Sequence, residues 1–265
     1  MRWVRSHPVV VLLVLTYVLT WAVWVPRAAG ADLGLVARAW TWAPAVAALI
    51  ATALAGGRPG LKEWAARLVR WRVRWYWYVA VIVGPAAFSL LVAGAYGLLG
   101  GSATAALPWV TAPIPLLPLF LLILTVTDGY GEEPAWRGVA LPHLLQEHPP
   151  FGASLVVGIV WAAWHLPLLW TPGIQAQQLP WWLLGFDVTA KSVFFTWVFI
   201  RTRGSVLIAA LLHGAANLFT VSPAIATAHD VRLPVLSTAA KWVIIAIVLL
   251  ISLMRQNRQL PDSSR

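Results

Sequence analysis

The chain has 265 residues, of which 60% are hydrophobic and only 11% charged, with a mean hydropathy of +0.76. Soluble domains carry about 25% charged residues, so this composition excludes an ordinary soluble fold and points to an all-α, polytopic membrane bundle forming one integral domain, residues 1–265. The lack of Cys excludes disulfides, Cys-ligated zinc and a thiol nucleophile. The net charge of +10 reads as topology signal and lipid contact rather than nucleic-acid binding, because the basic residues lie at the ends of apolar segments.

A bilayer crossing takes about 20 apolar residues. In chain order the candidate spans are 8–25, 40–56, 75–100, 115–131, 151–170, 181–200, 204–221 and 238–254, eight in all. The first is longer than a signal-peptide core and reads as a retained anchor, although Ala29-Gly30-Ala31 resembles a cleavage site. With the N-terminus inside, fourteen Lys and Arg fall on inside segments, three on outside ones, and Lys191 and Lys241 within spans. The positive-inside rule then places both termini in the cytoplasm of a multi-pass cell-membrane protein.

Between the second and third spans, Gly56-Gly57 and Pro59-Gly60 break the helix. Leu61, Trp64, Leu68 and Trp71 then recur at near-helical spacing among Lys62, Arg67, Arg70 and Arg74. That is a basic amphipathic helix for the inner leaflet, an anchor more readily than a substrate dock. The tail 255–265 is polar and reads as disordered.

The chemistry-bearing residues lie in apolar surroundings, where a charge is costly unless it pairs, meets water or reacts. In Glu132-Glu133-Pro134-Ala135-Trp136-Arg137, four-residue spacing lets Glu133 pair with Arg137. Glu132 points about 100° away and is left as the carboxylate for general-base work. Pro134 disfavours helix at Glu133 and, after the Gly129 and Gly131 hinge, marks a helix start. The competing reading is an interfacial charge cluster that caps a helix. His165 shares a helix face with Trp161. His213 and Asn217, four apart among small residues, present two hydrogen-bonding groups side by side, suited to an oxyanion or to an inter-helix contact. Asp187 and Lys191 form an internal ion pair, and Asp128 stands next to the glutamates. His143, His148 and His229 fall in loops. No Ser-centred elbow, Walker loop or His-Glu-x-x-His helix is present.

Together, Glu132, Glu133, Arg137 and Gly138, then Trp161 and His165, then His213 and Asn217 resemble the CPBP family of intramembrane proteases over roughly residues 115–220. That family includes the type II CAAX prenyl endopeptidases and the bacteriocin-immunity and Abi proteins. Trp161 stands where the family usually has Phe. The resemblance implies an eight-helix bundle whose cavity opens toward the cytoplasm. It makes Glu132 the base that activates water, His165 the holder of that water, His213 with Asn217 the oxyanion site, and Glu133 with Arg137 the supporting pair. The partners it implies are a peptide or membrane-protein substrate and membrane lipid. Both a zinc ion on Glu132, His165 and His213 and a metal-free water fit these residue types. Two rivals stand beside the protease: a non-catalytic scaffold or immunity factor of the same fold, and a transporter relaying charge through Asp187, Lys191 and the glutamates. The clustering of charge near one face and the lack of an inverted repeat weigh against the transporter.

Overall fold

The computed structural model describes residues 2–171, 179–221 and 231–257. His229 and the tail beyond 257 lie outside them. Among the described residues all regular structure is helical. The main helices are α1 (Pro8–Ala28), α2 (Ala43–Leu68), α3 (Tyr76–Leu98), α4 (Ile114–Leu144), α5 (Pro150–Trp164), α6 (Trp181–Arg201), α7 (Val206–Leu218) and α8 (Arg232–Asn257). Seven of the described helical stretches are long and apolar enough to cross a membrane. The expected span 204–221 contains only the 13-residue α7. At 1.5 Å per residue that is about 20 Å of helix, short of a hydrocarbon core of about 30 Å.

Burial is arranged for lipid rather than water. Leu91 and Ile159 are 74% and 62% exposed, whereas Glu133 and Arg137 are fully buried. Apolar side chains point outward because lipid accepts them, and charged ones turn inward because it does not.

α1 is stitched to α5 by polar groups that alternate with its lipid-facing valines. Tyr17 donates to the Val160 carbonyl at 2.6 Å, Trp21 to the Trp164 carbonyl at 3.0 Å, and Thr20 accepts from the Trp164 indole at 2.9 Å. α2 bends where expected: Gly57 sits at φ +57°, ψ −150°, a conformation open to Gly and strained for other residues. The arm beyond it is the expected basic amphipathic helix only as far as Leu68, short of Arg70, Trp71 and Arg74, and it packs on protein. Trp64 donates to the Pro134 carbonyl and Arg67 to the Gly138 carbonyl, both at 3.0 Å, and the Leu68 carbonyl accepts from Tyr130 at 2.8 Å. The arm therefore braces the part of α4 that carries the glutamates.

Pro134 does not start a helix. α4 runs through it, with π-helical turns at Thr125–Gly129 and Trp136–Ala140 flanking the α-helical Tyr130–Ala135. Proline lacks the N–H that would bond the carbonyl four residues back, and wide π turns let a helix absorb such a defect. Another correction concerns His143. It lies not in a loop but in the last turn of α4, with Nδ1 2.8 Å from the Val139 carbonyl oxygen, its hydrogen-bond acceptor.

α6 and α7 are joined by a tight turn. Arg203 and Gly204 take positive φ, 56° and 80°, and Gly204 N–H bonds the Phe199 carbonyl at 2.8 Å. Ser205 then caps α7, accepting from the Ile208 N–H at 3.2 Å and donating to the Arg70 carbonyl at 2.6 Å. Arg70 in turn bonds the Arg203 carbonyl. At the other end of the bundle Arg232 donates to the Leu99 carbonyl at 3.3 Å. Segments assigned to one side by their charges thus meet at one end of the fold.

Candidate active site

α7 crosses α4 at backbone distance because both helices have glycine at the crossing. A Cβ on Gly129 would lie 2.4 Å from the Ala210 carbonyl oxygen, and one on Gly214 2.7 Å from the Thr125 nitrogen. Gly131 is equally tight against the first residues before α2, where a Cβ would lie 2.6 Å from the Thr41 carbonyl oxygen. This approach carries His213 and Asn217 of α7 onto the carboxylates of α4.

The two glutamates have separate partners. Glu133 accepts from Arg137 Nη1 at 3.1 Å, one helical turn away, as the four-residue spacing predicts. The Arg137 guanidinium is clamped between the rings of Trp161 and Phe195, at 4.7 and 4.8 Å from their centroids. His213 Nδ1 lies 2.8 Å from Glu133 Oε1, so the imidazole donates to the same carboxylate. Glu133 is therefore engaged by two basic groups.

Glu132, 5% exposed, is held by neutral donors instead. Its Oε2 accepts the Trp161 indole N–H at 2.6 Å and the Trp136 indole N–H at 3.4 Å. Its Oε1 lies 3.9 Å from His213 Nε2, beyond a direct hydrogen bond. A water oxygen at ordinary hydrogen-bond distance from each atom would subtend roughly a right angle there. Trp161 is thus more than an aromatic body in place of Phe, since Phe has no N–H to give.

His165 ends α5. Its Nδ1 is 2.8 Å from the Trp161 carbonyl oxygen, an acceptor only, so Nδ1 carries the proton and a neutral ring offers Nε2 as acceptor. The Trp161 ring centroid lies 6.0 Å from the His165 ring and 5.5 Å from the His213 ring, and the indole bonds Glu132. Trp161 is the common neighbour of the three. Asn217 faces another carboxylate: its Nδ2 donates to Asp128 Oδ2 at 2.8 Å, leaving a second amide N–H.

A zinc ion would need Glu132, His165 and His213 at about 2.0–2.2 Å in a tetrahedral arrangement. Among the described residues no three His, Asp or Glu side chains are disposed to hold a metal ion. His213 Nδ1 is already engaged by Glu133, and Glu132 Oε2 by two indoles. The atoms of these two side chains left without a direct hydrogen bond are His213 Nε2 and Glu132 Oε1, 3.9 Å apart.

The partners that spacing alone did not supply are instructive. Trp136 is four residues from Glu132, a signal present in the sequence. Phe195 and Lys241 reach their partners from other helices, and nothing local announces them. Lys241 joins the expected Asp187–Lys191 pair, lying 2.6 Å from Asp187 Oδ1 while Lys191 lies 2.9 Å from Oδ2.

Comparison with known proteins covers this same stretch. Residues 113–219 match the model of the family described as type II CAAX prenyl endopeptidase Rce1-like. The protein named CAAX prenyl protease 2 of Methanococcus maripaludis is 32% identical over 106 residues, 38% of this chain and 38% of its own length. The chain therefore matches well under half of that curated relative.

Proposed function

We propose, from the match of residues 113–219 to the Rce1-like family model, that this protein hydrolyses peptide bonds near the cytoplasmic membrane face with a water activated by Glu132. The observation that carries this reading is the unequal treatment of the two glutamates. Glu133 is engaged by Arg137 and His213, while Glu132 is steadied by neutral indoles and faces His213 across a gap of 3.9 Å.

In this mechanism a water sits between Glu132 Oε1 and His213 Nε2, with His165 Nε2 accepting its second proton as a hydrogen bond. Glu132 takes a proton as the water oxygen attacks the peptide carbonyl carbon. The resulting oxyanion is met by His213 and by the free N–H of Asn217. Collapse breaks the C–N bond, and Glu132 returns its proton to the departing amine. Water is consumed as OH on the acyl carbon and H on the nitrogen, and every group ends as it began. Glu133 and Arg137 hold His213 in place. The reaction as proposed is metal-free. The amphipathic arm of α2 and the Arg70–Arg203 end of the bundle face the cytoplasm, following the distribution of basic residues.

The test is a reconstituted protein given two peptides alike except for a prenylated cysteine four residues from the C-terminus. Release of a C-terminal fragment, read by mass spectrometry and abolished in Glu132→Gln, supports the protease; cleavage of the prenylated peptide alone extends it to the substrate class in the relative's name. No cleavage of either peptide, together with full cellular function of Glu132→Ala and His213→Ala, would favour the non-catalytic scaffold.

A further inference from the structure

A cavity of about 310 Å³ lies between α3, α6, α7 and α8. None of the proposed catalytic side chains lines it, and Phe195, which lies under the Arg137 guanidinium and edge-on to the His213 ring, forms part of the wall toward them. Its lining is almost wholly hydrocarbon and aromatic, including Trp77, Phe88, Phe194, Phe219 and Ile244. The exceptions with charge are Lys191 and Lys241.

These two ammonium groups share one carboxylate. Lys191 Nζ is 2.9 Å from Asp187 Oδ2, and Lys241 Nζ is 2.6 Å from Asp187 Oδ1. Lys241 also donates to Ser237 Oγ at 2.8 Å and stands 5.1 Å from the centroid of the Phe88 ring. Thr238 donates to Asp187 Oδ1 at 3.3 Å. Two cations and one anion leave one positive charge on the wall of an apolar cavity, in the middle of helices built to cross a membrane. Excess charge at that depth is costly without a counter-ion. A counter-ion that reaches it through hydrocarbon must bring its own apolar tail.

We propose that this cavity binds a long-chain carboxylate of the fatty-acid class, with its head against Lys191 and Lys241 and its tail among the aromatic rings. A single surplus charge matches a monoanion and not a phosphate dianion. The volume, at the small end of ligand cavities, suits one chain and not the two of a phospholipid. Two of its lining residues, Trp197 and Ile244, are 45% and 38% exposed on helices long and apolar enough to cross a membrane, which suits entry from the bilayer.

Binding is measured by native mass spectrometry of the full-length protein in a neutral detergent, with palmitate as probe and hexadecanol as its uncharged counterpart. Palmitate should bind one per chain, at least tenfold more tightly than hexadecanol. Lys241→Met should weaken palmitate about tenfold and leave hexadecanol unchanged. Asp187→Asn raises the wall charge to +2 and should tighten palmitate, an outcome misfolding does not imitate. Equal binding of acid and alcohol, or palmitate affinity indifferent to both substitutions, overturns the proposal. So does displacement of palmitate by an apolar tripeptide with a free carboxylate but not by its amide, which would assign the cavity to a peptide terminus. All arms are read without proteolysis, so their outcome is separate from that of the catalytic reading.

Discussion

Replacing Glu132 and Glu133 one at a time by Gln should produce opposite phenotypes. Glu133 is fully buried, accepts from Arg137 at 3.1 Å and from His213 at 2.8 Å, and Arg137 is itself fully buried between two rings. Neutralising Glu133 leaves a buried guanidinium without its carboxylate. Breaking one partner of such a pair typically costs about 3–5 kcal/mol. At roughly 2–4 °C per kcal/mol for a chain of this size, the unfolding temperature falls by about 6–20 °C. Glu132→Gln keeps a side-chain oxygen for the Trp161 indole, 2.6 Å away in the native protein, and removes a charge whose direct hydrogen bonds come from indoles, with His213 standing off at 3.9 Å. Its stability should change by about 1 kcal/mol or less, while loss of the general base lowers the cleavage rate by roughly 10²–10⁴-fold. Thermal unfolding of both variants in one detergent, followed by peptide cleavage at a temperature where both are folded, separates the two effects. If Glu132→Gln is the unstable variant and Glu133→Gln the stable, inactive one, the assignment of the two carboxylates is reversed.

Trp161→Phe keeps the ring over Arg137 and deletes the N–H to Glu132. A hydrogen bond to a charged group is worth about 1.5–3 kcal/mol, so stability falls by about that much in a chemical or thermal melt, and Trp136→Phe, whose indole is 3.4 Å away, costs less. Gly214→Ala drives a Cβ to 2.7 Å from the Thr125 backbone nitrogen. Overpacking of this kind typically costs about 1–3 kcal/mol, and the same substitution parts α7 from α4 and lowers activity even where the protein still folds. Extensive dialysis against a chelator should leave cleavage unchanged and elemental analysis should find zinc well below one per chain; one tightly held equivalent that disappears in His165→Ala would refute the metal-free reaction.

Much of this site is legible in the sequence because it is written in helical spacing. Glu133 and Arg137 are four apart and do pair. The glycines that permit the α4–α7 crossing are also visible, as is the break at Gly57. The helix through Pro134 is not legible, because the π turns that relieve the backbone sterics of proline leave no local mark in the sequence. His213 and Asn217 share a helix face as read, yet their partners are different carboxylates, Glu133 and Asp128. Spacing fixes which residues face the same way; it does not fix what the neighbouring helix places opposite each one. The same limit hid Lys241, which meets Asp187 from a helix more than fifty residues later, and the indole of Trp161, whose N–H matters only once Glu132 is across from it.

The most direct measurement works without an identified substrate. Membranes from cells expressing the native protein and from cells expressing Glu132→Gln at equal level are compared by quantitative proteomics of protein C-termini. The catalytic reading predicts at least one membrane protein or lipidated peptide whose uncleaved form accumulates only with the variant, and whose new C-terminus is present only with the native chain. Identical C-terminal profiles, under conditions where loss of the protein has a cellular effect, would contradict it.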